Sequence, residues 1–566
     1  MGKSSAPAPA TTSEETVIRH DIDIEEHAID DTIKLKVIVV GAGITGITAA
    51  VLLPEKVPGI DLVVYERDSD ISTFAPALGW SEHYAQGAEI KKYWTNIAVK
   101  YRADRVIKCN HVIKSAEWNE ERAKWVITVE SPQGTFVDQA DFLITATGVF
   151  SQPKLPSYPG ISEFTGHIIH SSRWDHSFDA TGKSIAIIGN GASGMQVLPQ
   201  LHKIASRIDH YARSPTWVAP SFGDDPADRL NDDIRATFTD PDAYLQYRKR
   251  MENRSFTGFG NSVKGGHSST QLRERATDLM KERLGDRTDL LQAIIPEFSP
   301  SCRRLTPGPG YLEAITQPNV EYITTEIEAF TKSGIRTIDG KERIVDAIVC
   351  STGADTSFAP PFRLQKENID LATAWKPDGS VGYPRTYLGI ATPGFPNLLF
   401  INGPQAAAVT GTSTFSIENQ ITLAARVLRK VQSQGIRTIS PTEQATEDFQ
   451  AYCDAYFPRT VLKDNCRSWF NNGVAGGKIL ANWPGSGLHA NLVRREPRWE
   501  DWQYTYWTSS GNRFAYLGNG WTRKDQLVNQ GSSKIAAEVD LTPYLNVASV
   551  TGGLDLRGYH ENWYDI

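Results

Sequence analysis

A chain of 566 residues exceeds what one hydrophobic core usually serves, so the sequence predicts two or more domains. Its 59 Lys and Arg against 66 Asp and Glu leave a formal charge of −7, which argues against a general binder of nucleic acid or anionic membrane. No apolar run approaches the ~20 residues that a membrane span needs, so no span and a cytoplasmic location are expected.

The first 16 residues, MGKSSAPAPATTSEET, lack the apolar core of a secretory signal and read as part of a disordered tail over 1–34. The opening Met-Gly does not complete a myristoylation pattern, because Ala6 stands where Ser or Thr is required. Leu35–Val40 is a short β-rich run that breaks into Gly41-Ala42-Gly43-Ile44-Thr45-Gly46, followed by a helical pattern. A second apolar run, Leu62–Tyr65, ends at Glu66. The same grammar returns in Ser184–Ile188, then Gly189-Asn190-Gly191-Ala192-Ser193-Gly194, a helical run, and Ile208–Ala212 ending at Arg213. One such glycine pattern is weak. Two in matching strand contexts, with intervals Gly41–Glu66 and Gly189–Arg213 that differ by one residue, are strong.

Phe142–Ala146 and Ala347–Cys350 read as the closing strands of the two modules, with ordinary strand ends as the alternative. Residues 221–300 are polar, charged and helix-prone, which predicts a helical insertion. The fold class expected is α/β with two Rossmann-like domains, the second inserted in the first. Residues 35–178 form the first part of one domain, 179–355 the inserted domain, and 356–566 the remainder with a Trp- and Tyr-rich extension.

The strand ends select the ligands. Gly41 permits the tight turn, Gly43 lets backbone approach a diphosphate, and Gly46 lets helix pack on strand, with the diphosphate at the helix N-terminus. Glu66 can accept hydrogen bonds from a ribose bearing a free 2′-hydroxyl, which suits FAD or NAD. The second module ends in Arg213-Ser214 with no acid. An arginine there pairs with a 2′-phosphate and selects NADPH; a solvated surface arginine is the alternative. FAD first and NADPH second is the expected pair, and no metal is expected. Five cysteines, at 109, 302, 350, 453 and 466, show no CxxC or CxxxxC spacing. Reduced thiols are expected, and the missing dithiol argues against a flavin disulfide reductase.

Between the modules, Phe164-Thr165-Gly166, His170 and Trp174-Asp175 match FxGxxxHxxxW followed by Asp. This resembles the fingerprint of Baeyer–Villiger monooxygenases; N-hydroxylating and dimethylaniline-type relatives usually carry Tyr at the Trp position. The resemblance implies that His170 couples the domains rather than reacting, while Trp174 serves equally well as core packing. It extends to Ser301-Cys302-Arg303-Arg304, where Arg304 would be the catalytic arginine and Arg303 would hold the 2′-phosphate. A solvated face is the alternative for that pair. It also extends to Gly394–Pro404 and to Ser468-Trp469. The cofactor contacts it implies include Val112, Asn190, Gly191, Ser193, Gly194, Gln196, Ser214, Ser413 and Trp469. The segments PRWEDWQYTY and NRFAYLGNGWT are similar to extended fungal members that act on polyketides or terpenoids.

The implied reaction takes NADPH, O2 and a bulky ketone to an ester or lactone. An N- or S-oxygenating flavin monooxygenase is the same-class alternative. One departure favours a third reading. The family's second motif, Gly-x-Trp, then Tyr-Pro-Gly and an Asp that partners the catalytic arginine, is absent. The chain runs from Glu66 through Phe74-Ala75-Pro76 directly into Trp80-Ser81-Glu82. That gap weakens the catalytic expectation more than the fold expectation, and makes a non-catalytic nucleotide-binding protein the alternative from another class.

Overall fold

Strands that are apolar end to end form in this chain where both faces of a sheet are covered. The computed structural model describes residues 24–70, 87–219, 231–508 and 512–531. Strand β1 (Lys36–Val40) has four of its five residues buried and feeds helix α1 (Ile44–Lys56) through the first glycine turn. Strand β2 (Asp61–Tyr65) returns parallel to β1. Helix α2 (Gly87–Lys100) and the short β3 (Ile107–Lys108) follow. A meander of β4 (Val112–Asn119), β5 (Lys124–Ser131) and β6 (Gly134–Ala140) leads to β7 (Phe142–Thr145), which pairs with β1 on the side away from β2.

Strand β8 (His167–His170) then begins the second sheet, with β9 (Ser184–Ile188), helix α3 (Ala192–Leu201) and β10 (Arg207–Tyr211). A two-residue β11 (Val218–Ala219) precedes the described part of the insertion: α4 (Asp232–Ala236), α5 (Pro241–Thr257), α6 (His267–Leu284) and α7 (Thr288–Ile294). Ala276, Met280 and Leu284 recur every fourth residue of α6 and bury that face against the core of the second module. Strand β12 (Thr306–Pro307) pairs with β11, and α8 (Tyr311–Ile315) and β13 (Val320–Ile323) complete the crossover. A three-stranded meander, β14 (Ile327–Phe330), β15 (Gly334–Thr337) and β16 (Glu342–Ile344), leads to β17 (Ala347–Cys350).

The second sheet runs β13-β10-β9-β17-β8, with every pair parallel. Here the structure moves a boundary. Residues through 178 were expected in the first module, yet β8 pairs with β17 and places the His170 fingerprint on the edge of the second sheet. Ile169 is buried there and Ile168 is partly buried, and an apolar strand lacking a mate in the first sheet finds one here.

The chain returns through β18 (Arg363–Lys366), β19 (Ile369–Asp370), α9 (Leu371–Ala374) and β20 (Leu398–Phe400). Strand β20 closes the first sheet in the order β20-β7-β1-β2-β3. Phe395, Leu398 and Phe400 share one core with Ile38, Trp125 and Leu143. The second domain is therefore inserted in the first. Its outgoing and returning connections are tied together: Pro153 bridges Ala354, and the Lys154 N–H donates to Gly353 O at 2.9 Å. Helices α10 (Ser413–Ser433), α11 (Glu443–Tyr456) and α12 (Gly487–Arg495) follow. Phe449, Phe457, Phe470 and Trp483 pack into a further core, which is where part of the aromatic surplus goes.

A second compact unit contains the described residues of 24–33, 430–437 and 505–531. Residues 24–33 lie in the span expected as a disordered tail, and the structure corrects this. The Asn519 N–H donates to His27 O at 2.9 Å, the Arg523 N–H donates to Asp30 Oδ1 at 2.7 Å, and the Arg523 side chain pairs with Asp31. Polar contacts to a segment hundreds of residues away order this stretch, and composition alone carries no sign of them.

Candidate functional site

The two glycine turns are built alike. Gly41 has φ +105°, and a Cβ there would meet Ala146 O, just beyond β7, at 2.7 Å. Gly189 has φ +106°, and its Cβ would meet Ser351 O, just beyond β17, at 2.4 Å. Both turns thus need the mirror-image backbone that glycine tolerates. Gly43 and Gly191 occupy the N-cap positions of α1 and α3 without a capping side chain, so the first N–H groups of each helix remain available to an anion. A Cβ on Gly191 would meet nothing within 4 Å, which leaves open the space where backbone would approach a diphosphate.

Glu66 closes the first turn. Its carboxylate accepts from the Ala42 N–H at 2.6 Å and from the Asp68 N–H at 2.9 Å. Its own carbonyl accepts from the His111 N–H at 2.8 Å, which sets Val112 beside it at the start of β4. A carboxylate held against the glycine turn with lone pairs to spare fits the ribose of a flavin adenine dinucleotide.

The second turn ends in cations. The Asn190 amide donates to Ser214 O at 2.7 Å and fixes the Arg213-Ser214 segment against the turn. Arg213 is exposed, as are Ser193 and Gln196 on the first turns of α3, whereas Gly194 is buried against the turn. Arg303 donates through Nη1 to Pro215 O at 3.4 Å, and its guanidinium lies 4.7 Å from the centre of the Phe298 ring. The Nε of Arg303 is buried without a hydrogen-bond partner. Burial, reinforced by Arg213 and Arg467, holds this guanidinium below its ordinary pKa. Neither Arg213 nor Arg303 has a carboxylate partner among the described residues, so the cluster lacks an anion and fits a ribose 2′-phosphate.

His170 is buried. Its Nδ1 accepts from the Ser172 N–H at 3.2 Å, so the proton sits on Nε2, which donates to Gly353 O at 3.0 Å. Burial lowers its pKa. The ring therefore ties β8 to the returning connection. Trp174 packs partly buried against the core of the second module. Trp469 lies edge-on to Phe150, with ring centres 5.1 Å apart, and joins the core of Phe449 and Trp483. Ser413 is the first residue of α10 and is exposed. At the carboxyl ends of β7 and β20 a cleft is lined by Thr145, Gly148, Phe358, Asn402 and Pro404. Arg304 is exposed, without an ion pair among the described residues. The junction at which the sequence departs from the family, residues 71–86 including Trp80, lies outside the described residues.

The cysteines give a third correction. Cys302 and Cys466, expected as thiols, form a disulfide with their Cα atoms 6.4 Å apart and 164 residues between them in sequence. The Ser299 N–H donates to Asp464 Oδ2 at 3.1 Å, and this contact brings the two segments together. Such long-range pairing leaves no spacing signal. The one trace in the sequence is that each cysteine precedes an arginine, Cys302-Arg303 and Cys466-Arg467. The sequence analysis did not single out Arg467, whose place beside Arg303 follows from that pairing.

Comparison with known proteins agrees with this geometry. Residues 35–237 match the family model described as pyridine nucleotide-disulphide oxidoreductase. The FAD-binding monooxygenase tazF of Aspergillus terreus is 33% identical over 86% of this chain and 92% of its own length. The FAD-binding monooxygenase moxY of Dothistroma septosporum is 30% identical over 91% of this chain and 86% of its own. The fold matches a cyclohexanone monooxygenase from Rhodococcus bound to NADP+, with a TM-score of 0.69 at 20% identity over 84% of this chain and 99% of that one. It also matches a steroid monooxygenase bound to NADP, with a TM-score of 0.70 at 22% identity over 84% of this chain and 99% of that one. By these relatives the chain belongs to the FAD-binding monooxygenases, and its two dinucleotide modules have the fold of the Baeyer–Villiger enzymes.

Proposed function

We propose that the enzyme uses NADPH and O2 to convert a bulky ketone of polyketide or terpenoid type into an ester or lactone in secondary-metabolite biosynthesis. Ketone, O2, NADPH and a proton become ester, NADP+ and water. Bound FAD would supply hydride acceptance from NADPH and delivery of one oxygen atom from O2.

The chain's own residues bind and orient. Gly41, Gly43 and Gly46 with the N-terminus of α1 would hold one diphosphate, and Glu66 its ribose. Gly189, Gly191 and Gly194, with Asn190, Ser193 and Gln196, would hold the other, while Arg213, Ser214 and Arg303 would take the 2′-phosphate. Val112, Ser413 and Trp469 would border the cofactors, with His170 positioning the second sheet's edge. The guanidinium of Arg304 would donate hydrogen bonds to the oxyanion that forms when oxygen adds to the ketone carbonyl and stabilise it.

Arg304 carries this reading. It is an exposed guanidinium with no carboxylate partner among the described residues, and it directly follows the arginine of the nucleotide cluster. The test is turnover of a panel of bulky ketones by the purified protein with NADPH, read by mass spectrometry. Esters one oxygen heavier than the ketone are expected. Oxidation of amines or sulfides with no ketone turnover would make it an N- or S-oxygenase. A colourless protein that FAD cannot reconstitute would sink both. Replacement of Arg304 by Ala is expected to leave flavin bleaching by NADPH in place and to cut ester formation by about a hundredfold or more. Normal ester yield would remove it from the mechanism.

A further inference from the structure

We propose that Arg467 is a third specificity-determining arginine for the adenosine 2′-phosphate, delivered to Arg213 and Arg303 by the Cys302–Cys466 disulfide. This rests on the reading of the second module as an NADPH site.

Three separate segments converge. Arg213 follows β10 at the ribose end of the second sheet. Arg303 is tied to that segment through Nη1 to Pro215 O at 3.4 Å. Arg467 arrives from the far side of the chain, because Cys302 directly precedes Arg303, Cys466 directly precedes Arg467, and the bonded pair holds its Cα atoms 6.4 Å apart. Both cysteines are buried, at 0% and 2% exposure, so the crosslink is part of the core beneath the arginines.

The mount for Arg467 is rigid. The Asn471 amide donates to Cys466 O at 2.9 Å, and the Ser468 N–H donates to Asn471 Oδ1 at 3.0 Å. Only the Arg467 side chain between them reaches solvent, because Cys466 and Ser468 are buried. The nearby acid is already engaged: Asp464 accepts from the Ser299 N–H and pairs with Lys264 at 3.2 Å. Arg213, Arg303 and Arg467 have no carboxylate partner among the described residues, and Arg467 is close enough to help depress the pKa of Arg303. A half-buried guanidinium beside two like charges is unfavourable until an anion joins it. A phosphate monoester, carrying nearly two negative charges, suits three cations from three directions.

The probes are 2′,5′-ADP and 5′-AMP, which differ only in the 2′-phosphate, measured by calorimetry on the full-length oxidised protein. The wild type is expected to prefer 2′,5′-ADP. Arg467→Gln should lose about tenfold of that preference with 5′-AMP binding unchanged, and Arg467→Lys should recover part of it. The Cys302→Ser/Cys466→Ser double variant, or wild type reduced with a phosphine, should show the same selective loss. Arg467→Gln binding 2′,5′-ADP like wild type, while Arg213→Ala does not, would overturn the inference and leave the NADPH reading standing. Full preference without the disulfide would overturn the delivery. A wild type with no preference for 2′,5′-ADP would overturn the NADPH reading and the inference with it.

Discussion

Gly46 and Gly194 hold equivalent places, one turn into the first helix of each module. A Cβ on Gly46 would stand 1.9 Å from Gly41 O, and one on Gly194 would stand 2.0 Å from Gly189 O. The obstacle in both cases is backbone, so the helix must move away from the strand, at a cost of about 1–3 kcal/mol or more. Gly46→Ala is expected to purify without the flavin absorbance band. Gly194→Ala is expected to keep the band and lose bleaching by NADPH. The reverse pattern would show that the two modules have been assigned to the wrong cofactors. The places of these glycines, of Glu66 and of Arg213 in the fold were legible in the sequence because a strand, a tight turn and a helix fix the register of the next strand end. Arg467 was not legible, because its place depends on a crosslink between residues 164 apart.

Strand β10 carries a consequence of its own burial. His210 is fully buried between the rings of Tyr311 and Tyr322, and desolvation pushes its pKa down to about 4 from an ordinary value of 6.5. The folded-state value lies below the unfolded one, so as pH falls the unfolded chain takes up the proton first. The stability contributed is complete above about pH 6.5 and is lost as pH falls from 6.5 toward 4, in total on the order of 3 kcal/mol. The urea midpoint of the wild type is expected to fall through that window, and that of His210→Phe to fall less. Equal slopes would mean that His210 is solvated. Among the elements, the β1, β2, β9 and β10 strands and the helices of the insertion were legible from period and composition. The placement of β8 was not, because which sheet an apolar strand joins depends on which edge is open, and a sequence does not display edges. The aromatic C-terminal region resisted reading for a related reason. Phe449, Phe470 and Trp483 lie on a helix, a single turn and a loop, so no period connects them.

At the scale of the whole molecule, the nesting of one domain in the other makes the first sheet depend on residues at both ends. A chain stopped at residue 355 would lack β20 and with it Trp375, Phe395, Leu398 and Phe400, leaving Ile38 and Leu143 with an open core. Such a fragment is expected to be insoluble or to bind no FAD, whereas a soluble yellow fragment would show that the first sheet closes without β20. The nesting was legible from the order of the two glycine motifs. The smaller unit was not, because polar partners far apart in sequence help to join its described segments, and no apolar period in the sequence marks them. Those partners join residue 27 to residue 519 and residue 31 to residue 523, so they close a loop that contains both nucleotide modules. Among the described residues, a force that draws residue 24 away from residue 531 therefore loads these contacts before it loads a strand of either sheet.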